Sequence, residues 1–336
     1  MRIITVLLLT LATVIFVDAQ WVKQDVKTTA SFRGLSVVNK NVVWASGTGG
    51  TVIRTLDGGK KWDVFVVPGA EKLDFRDIEA FDAKSAFILS IGNGASSRIY
   101  KTTDGGKTWD LQFKNDDQKA FFDAIACWDR EKCLAMSDPV EGHYLLLSTS
   151  NGGTSWTKVN NNGKGPAAAD GEAAFAASGT CLIAVGRQDA YLISGGNGAH
   201  VFHSADRGRS WKAAETPIVK GTPGSGIFSI AMLGTGRGII VGGNYEKPAV
   251  TANNGAMTTD GGLTWREMSG LTGYRSGVAF ADSRTIIAVG TNGTDVSNDS
   301  GKTWKKIGSE DLNAVAAKGK NSVWAVGSRG GVYRFK

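Results

Sequence analysis

The sequence predicts an all-β fold, a seven-bladed β-propeller closed by its N-terminal strand. Three observations predict it: a short motif present in six copies, a spacing between copies that matches one four-stranded blade, and 45 glycines but only 6 prolines among 336 residues. The motif is Ser/Thr-x-Asp-x-Gly-x-x-Trp, the Asp-box or BNR repeat. Successive tryptophans lie 47, 47, 55, 54 and 39 residues apart, at Trp62, Trp109, Trp156, Trp211, Trp265 and Trp304. A period of about 40–50 residues is typical of propeller blades.

Each Asp-box is interpreted as the turn between the third and fourth strands of a blade. The side chain at the Asp position accepts hydrogen bonds from turn amides, and the glycine supplies the positive φ that the turn needs. The third copy favours a structural role, because its asparagine can bridge a turn but cannot replace a catalytic acid. The six residues at this position are Asp57, Asp104, Asn151, Asp206, Asp260 and Asp299.

The strands of the blades follow from the positions of the boxes. In the first blade they are expected at 34–38, 42–46, 52–55 and 62–66. The last stretch of the chain supplies only three strands, and residues 21–26, with Trp21 where a box tryptophan would stand, are expected to be the fourth. That strand would close the ring and remove the exposed edges. First strands of the later blades are expected to begin near Asp77, Asp123, Cys181, Ile227, Gly277 and Asn313.

The first nineteen residues are predicted to be a secretory signal. Arg2 precedes an apolar run over residues 3–17, which is shorter than the roughly 20 apolar residues that span a bilayer, and a small-residue cleavage site ends at Ala19. A retained membrane anchor is the alternative. Residues 20–336 would then be a single propeller, expected to be a monomer that is secreted, or periplasmic in a Gram-negative bacterium, with no transmembrane segment after signal removal.

Cysteines, histidines and charge exclude several classes of function. Cys127 and Cys133 flank a predicted turn and are expected to form a disulfide, which export permits, whereas Cys181 is left unpaired. Neither cysteines nor histidines show the spacing of a metal site, and no dinucleotide or haem motif is present, so no metal and no cofactor are expected. The net charge is +7, but the basic residues are scattered, which argues against nucleic acid as a partner and allows a weak preference for acidic surfaces.

The rim opposite the Asp-boxes is the expected functional face, because loops on one face usually carry function in such folds. Arginines stand just ahead of three predicted first strands. The ligand-binding candidates on this rim are Arg33, Arg76, Asp77, Asp123, Asn244 and Arg275, and the candidates for a catalytic role are Asp138, Glu172 and Tyr245. The alternative is that each arginine only pairs with a carboxylate and ties blades together. The longest loops of this rim are expected at 158–176 and 244–255.

Several segments resemble a known family, the photosystem II stability/assembly factor-like propellers. Residues 44–62, WASGTGGTVIRTLDGGKKW, carry the resemblance, which covers the chain after the signal. Four segments are similar to the exported bacterial branch of that family: MSDPV at 136–140, GEAAFAASG at 171–179, SGIFS at 225–229 and VGGNY at 241–245. The resemblance implies a non-catalytic propeller that holds a protein partner during assembly. Nothing in the sequence indicates photosynthesis, so the partner of the photosynthetic members is not carried over.

A second resemblance, to sialidases, rests on the propeller and the Asp-boxes. It implies a carbohydrate-active hydrolase that uses rim arginines and carboxylates, with a Phe-Arg-Ile-Pro signal, an acid Asp, and a Tyr nucleophile with a Glu base. Phe32-Arg33-Gly34-Leu35 is not that signal, and the order of the candidates does not match. The expected function is therefore a secreted binding propeller for a protein partner or an anionic glycan, and a glycosidase-like enzyme is the alternative.

Overall fold

The computed structural model describes residues 20–159 and 164–336, which form seven antiparallel sheets arranged as the blades of a propeller. The predicted signal, residues 1–19, lies outside the described residues. The innermost strands of successive blades contact one another around a closed ring, from the first blade to the seventh and back to the first. The all-β, seven-bladed fold expected from the sequence is confirmed, and a short 3-10 turn is found at Gly94–Ser96.

The first strand in the chain, β1 (Trp21–Lys23), belongs to the last blade, and blade 1 begins with the second strand. From the inside outwards, blade 1 consists of β2 (Phe32–Val37), β3 (Val43–Gly47), β4 (Thr51–Thr55) and β5 (Asp63–Val66). Blade 2 consists of β6 (Phe75–Ala80), β7 (Ala86–Ser90), β8 (Arg98–Thr102) and β9 (Asp110–Lys114). Blade 3 consists of β10 (Phe122–Cys127), β11 (Cys133–Val140), β12 (His143–Thr149) and β13 (Thr157–Lys158), and β14 (Lys164–Ala167) also pairs with β12.

The next strand, β15 (Glu172–Ala173), does not belong to blade 4. Blade 4 consists of β16 (Leu182–Val185), β17 (Asp189–Ile193), β19 (His200–Ser204) and β20 (Lys212–Glu215), with β18 (Gly195–Gly196) between the second and third of these in the chain. Blade 5 is β21 (Ser225–Leu233), β22 (Arg237–Asn244), β23 (Gly255–Thr258) and β24 (Arg266–Glu267). The short strands β15 and β18 extend this sheet towards the centre of the ring. The segment expected as the loop 158–176 therefore contains two short strands, β14 and β15.

Blade 6 consists of β25 (Gly277–Phe280), β26 (Ile286–Gly290), β27 (Gly293–Ser297) and β28 (Lys305–Gly308). Blade 7 consists of β29 (Leu312–Ala317), β30 (Val323–Gly327), β31 (Val332–Phe335) and β1, which pairs antiparallel with β31. The indole nitrogen of Trp21 donates a hydrogen bond to Thr294 Oγ1 of blade 6, 3.0 Å away. The expected strand 21–26 ends earlier, at Lys23, because Lys23 pairs with Tyr333 and β31 begins one residue before that tyrosine.

The Asp-box turns join each blade to the one before it. In the second box, the Thr102 hydroxyl accepts from the Gly106 amide at 2.9 Å, and Asp104 Oδ1 accepts from the amides of residues 107 and 108 at 3.0 Å. Gly106 has φ 87°, and a Cβ there would lie 3.1 Å from the ring of Phe65 in blade 1. Asn151 keeps the pattern, since its Oδ1 accepts from the Ser155 amide at 3.0 Å. The box glycine thus serves both a positive φ and a close approach to the preceding blade.

Candidate functional site

A depression of about 340 Å³ opens on the rim opposite the Asp-boxes and is here called the arginine pocket. It takes residues from blades 1, 2, 5, 6 and 7 and from the segment after β15, so it lies over the centre of the ring. The polar part of its lining includes Arg33, Arg76, Ser276 and Asn313, and the aromatic part is Phe175, Phe228, Tyr245 and Tyr274.

A repeated irregularity of the inner strands aims side chains at this centre. Where β2 pairs with β3, Arg33 is an extra residue between the pairs Phe32–Gly47 and Gly34–Ser46, and Arg76 is the extra residue at the same place in β6. Such a β-bulge turns one side chain away from the regular alternation of the strand. Bulges at the equivalent place in blades 3, 5 and 7 leave Asp123, Phe228 and Asn313 as the extra residues. The pocket is therefore built from corresponding positions of different blades.

The two pocket arginines differ in their partners. Arg76 Nε donates to Asp74 Oδ2 at 2.8 Å, and its guanidinium also donates to the carbonyl oxygen of Ala176 at 3.3 Å. Arg33 donates to the carbonyl oxygen of Ala177 at 3.0 Å and forms no ion pair with any residue of 20–159 or 164–336. Burial, and next the neighbouring charge of Arg76, lower the pKa of Arg33. The pocket thus contains a positive charge that no carboxylate of the described residues neutralises at ion-pair distance.

Aromatic rings form the wall beside the arginines. Phe175 stacks on Phe228 with ring centroids 4.0 Å apart and planes inclined by 3°. Tyr274 and Tyr245 meet the Phe228 ring edge-on, at 4.8 and 6.2 Å between centroids. Tyr245 is 48% exposed at the lip of the pocket, whereas the other three rings are mostly covered. The pocket therefore offers cationic donors next to an apolar surface, an arrangement that suits an anion with an apolar group attached.

Arg275 does not belong to this pocket. Its side chain is 0% exposed, and its guanidinium lies 2.6 Å from Asp295 Oδ2, whose side chain is also 0% exposed. The same guanidinium also donates hydrogen bonds to Asn292 Oδ1 at 2.6 Å and to Thr272 Oγ1 at 2.7 Å. The expectation that Arg275 binds a ligand at the rim is wrong, because this buried network engages the guanidinium. The alternative stated for the arginines, a structural ion pair, describes this one.

The carboxylates expected on the rim lie deeper, between the inner strands. Asp77 is 5% exposed and accepts 2.8 Å hydrogen bonds from the amides of Ile78 and Ile125, which joins blades 2 and 3. Burial raises the pKa of Asp77 to about 8 against the effect of these amides. Asp123 is 1% exposed, and burial followed by the nearby Asp138 raises its pKa. Asn244 is engaged in its own loop, where Oδ1 accepts from the Glu246 amide at 2.8 Å.

The three candidates for a catalytic role occupy separate places. Tyr245 is at the pocket lip, and Asp138 Oδ1 accepts from the Ala174 amide at 2.8 Å, with its pKa raised to about 6 by burial. Glu172 is not among the residues that line the pocket, and its Oε1 lies 2.7 Å from Nδ1 of His200. The Ser194 hydroxyl donates to Glu172 and contacts His200 only through the backbone, whereas both imidazole nitrogens of His200 face carboxylates, so these three residues do not form a nucleophile–base relay.

Sequence reasoning missed the contacts of Glu172 with Ser194 and His200, because these residues lie 22 and 28 positions after Glu172 in the chain. It also missed the aromatic wall, although the segments SGIFS and VGGNY contain two of its rings. A signal was available in the position of Phe228, which follows the start of an inner strand as Arg33 and Arg76 do.

The described residues contain one disulfide and one free cysteine. A disulfide joins Cys127 to Cys133, which pair across the β10–β11 hairpin, and Cys181 is a buried free thiol whose pKa is raised by burial. Within residues 20–159 and 164–336, His, Cys, Asp and Glu side chains form no group of three or more that could hold a metal ion. The same residues include no helix with the length and apolar character needed to cross a bilayer.

Comparisons with known proteins establish the fold. No protein-family model matches the chain, and no curated protein matches it in sequence. Among solved structures, "YCF48 bound to D1 peptide" is 17% identical with a TM-score of 0.68, covering 94% of this chain and 96% of that one. YCF48 from Cyanidioschyzon merolae is 19% identical with a TM-score of 0.66, covering 94% and 99%. The Niastella koreensis GH74 enzyme is 15% identical with a TM-score of 0.60, covering 92% of this chain and 53% of that one. The chain is thus similar in fold to YCF48 over 94% of its own length, and to the GH74 enzyme over 53% of the length of that enzyme.

Proposed function

We propose that this chain is an exported, non-catalytic binding propeller of the photosystem II assembly factor-like type, and that its arginine pocket holds an acidic segment of a protein partner. The observation that carries the proposal is the guanidinium of Arg33, which is partly covered, has no carboxylate partner among the described residues and stands beside an apolar wall. A carboxylate placed between Arg33 and Arg76 would supply the missing charge. Arginine presents donors in a planar fork that matches a carboxylate.

A peptide fits this pocket better than an acidic sugar does. A pocket of about 340 Å³ is at the small end of ordinary ligand sites and accommodates one or two side chains. The stacked rings of Phe175 and Phe228 offer no hydrogen bonds to sugar hydroxyls, whereas an aliphatic or aromatic side chain next to a carboxylate would pack on them. One of the similar solved structures, YCF48 bound to D1 peptide, is a propeller of this fold that holds a peptide.

The test is a binding experiment with residues 20–336. An array of eight-residue peptides, each containing Asp or Glu beside Leu or Phe, is compared with an array in which Asn and Gln replace the acids, and the tightest acidic peptide becomes the labelled probe for fluorescence anisotropy. Charged hydrogen bonds contribute about 1.5–3 kcal/mol each, so Arg33→Ala with Arg76→Ala should weaken the probe at least tenfold. Added salt should weaken it further.

The control is a second double variant with the same change of charge. Lys72→Ala with Lys247→Ala removes two exposed cations from loops of the same rim and should change the affinity less than twofold. Equal binding by the parent and the arginine variant, or no preference for the acidic array over the neutral one, would overturn the proposal.

A hydrolase is the other outcome of the same measurements. Assays of the parent with sialosides and with a panel of other glycosides decide between the two. If the parent turns over a substrate, and if Asp138→Asn loses this activity while Asp25→Asn at an exposed position keeps it, the protein is a hydrolase and the proposed binding function is wrong.

A further inference from the structure

A chain of ionisable side chains runs from the surface of blade 4 towards the arginine pocket. Lys220 Nζ lies 2.9 Å from Glu215 Oε2, and Glu215 Oε1 lies 2.8 Å from Nε2 of His200. On its other side, Nδ1 of His200 lies 2.7 Å from Glu172 Oε1. The Glu172 side chain is only 1% exposed and also accepts from the Ser194 hydroxyl and, at 2.8 Å, from the Ala169 amide.

His200 is therefore bonded to a carboxylate at each ring nitrogen. A neutral imidazole has one N–H and can donate to only one of the two, whereas an imidazolium donates to both. The hydrogen bond with Glu172 raises the pKa of His200, burial lowers it, and the bond with Glu215 raises it, with a net upward shift. Although burial raises the pKa of Glu172, its hydrogen bonds from His200 and Ser194 outweigh burial and leave it lowered.

Glu172 begins the segment that forms one side of the arginine pocket. It lies in β15, which pairs with β18 through Glu172–Gly196 and Ala173–Gly195. The next residues supply Phe175 to the aromatic wall, and the carbonyl oxygens of Ala176 and Ala177 accept hydrogen bonds from the two arginines. A displacement of Glu172 would move the wall and the acceptors that orient the guanidinium groups.

We propose that Glu172, His200 and Glu215 form a proton-dependent latch that positions segment 172–177, so that the pocket binds its acidic ligand more tightly when His200 carries a proton. The effect on ligand affinity rests on the proposed function, whereas the latch itself does not. Because the folded state raises the pKa of His200 above its ordinary value of 6.5, the latch is complete below that pH and is lost as the pH rises through the raised value. His200 acts through Glu172 and touches no ligand, so it is a positioning residue.

Other ionisable groups packed near the latch have different pH dependences. Glu215 lies on β20, and its hydrogen bonds from Lys220 and next from His200 lower its pKa. Tyr144 on β12 is near Glu172, and burial raises the pKa of its phenol, so it stays neutral. Asp138 on β11, whose pKa is about 6, acts in the opposite direction, because its ionisation strengthens its bond to the Ala174 amide of the same segment. Variants at His200 are therefore needed to isolate the latch.

The experiment follows hydrogen exchange in peptides covering 169–177 of the protein 20–336 between pH 5.5 and 8.5, corrected for the intrinsic rate, together with anisotropy of the acidic probe. The parent should lose protection in this segment and bind at least about threefold more weakly at the alkaline end. His200→Gln should remove both changes. His203→Gln is the matched control, because His203 lies on the same strand but bonds to Asp189 at 2.7 Å, and it should behave as the parent.

A second variant lowers the pKa of His200 by changing its exposed partner, Glu215, and leaves the buried partner, Glu172, in place. The Glu215 side chain is 72% exposed, so Glu215→Gln should leave the fold intact and move the midpoint of both transitions to lower pH. Exchange in 169–177 that does not depend on pH in the parent, or that follows the same pH profile in His200→Gln, would overturn the latch. Exchange that follows His200 while no acidic peptide binds would support the latch and overturn the proposed function.

Discussion

Removing the buried guanidinium of Arg275 should be among the most damaging single changes to this fold. Arg275→Ala deletes the ion pair with Asp295 and the bonds to Asn292 and Thr272, and it leaves the Asp295 carboxylate buried with hydrogen bonds from Thr272 alone. Breaking a buried ion pair by removing one partner costs about 3–5 kcal/mol. This is a large part of the free energy of unfolding of a typical protein, which is about 5–15 kcal/mol. Arg76→Ala breaks a pair whose side chains are 29% and 25% exposed and should cost no more than about 1 kcal/mol.

Urea unfolding of the two variants and the parent, with a common slope, measures the difference directly. The charge argument also predicts rescue: Arg275→Met combined with Asp295→Asn leaves no buried charge without its partner and should recover much of the loss. The argument from buried charge fails if the free energy of unfolding of Arg275→Ala lies within about 1 kcal/mol of that of the parent. It also fails if the double variant is no more stable than Arg275→Ala.

Three further changes test the boxes, the closure and the buried acids. Thr258→Val removes a buried hydroxyl that accepts from the Gly262 amide at 2.9 Å, so urea unfolding should show a loss of about 1–3 kcal/mol that Thr258→Ser avoids, with binding of the acidic probe unchanged. Deleting residues 20–24 exposes the β31 edge and should lower the melting temperature and cause association in size-exclusion chromatography; a truncated protein that stays monomeric and melts as the parent would contradict ring closure by β1. Because burial raises the pKa of Asp123, its ionisation opposes folding above the unfolded value of 3.8, so Asp123→Asn should stabilise the protein increasingly from pH 4 to pH 8, while Asp25→Asn shows no such trend.

The sequence by itself determined the architecture, because each blade is a local meander and each Asp-box is satisfied within its own turn. Six boxes and the spare Trp21 were enough to count seven blades and to identify the closing strand. The starts of the inner strands were also predicted to within two residues, since alternation and turn residues are short-range signals. Arg33 and Arg76 stand at the second positions of β2 and β6, and the local meander dictates the rim at which these strands begin.

Only the tertiary structure decided what those side chains do. The same pair of an aromatic residue and an arginine stands at or just before the start of three inner strands, yet two of the arginines line the arginine pocket. Arg275 is instead buried against Asp295, twenty residues further along the chain. The contact of Glu172 with His200, and the stack of Phe175 on Phe228, join segments that are distant in the chain. Closing the ring brings the inner strands together and their bulges turn single side chains into the centre, so burial and pairing there depend on the neighbouring blades and not on the local sequence.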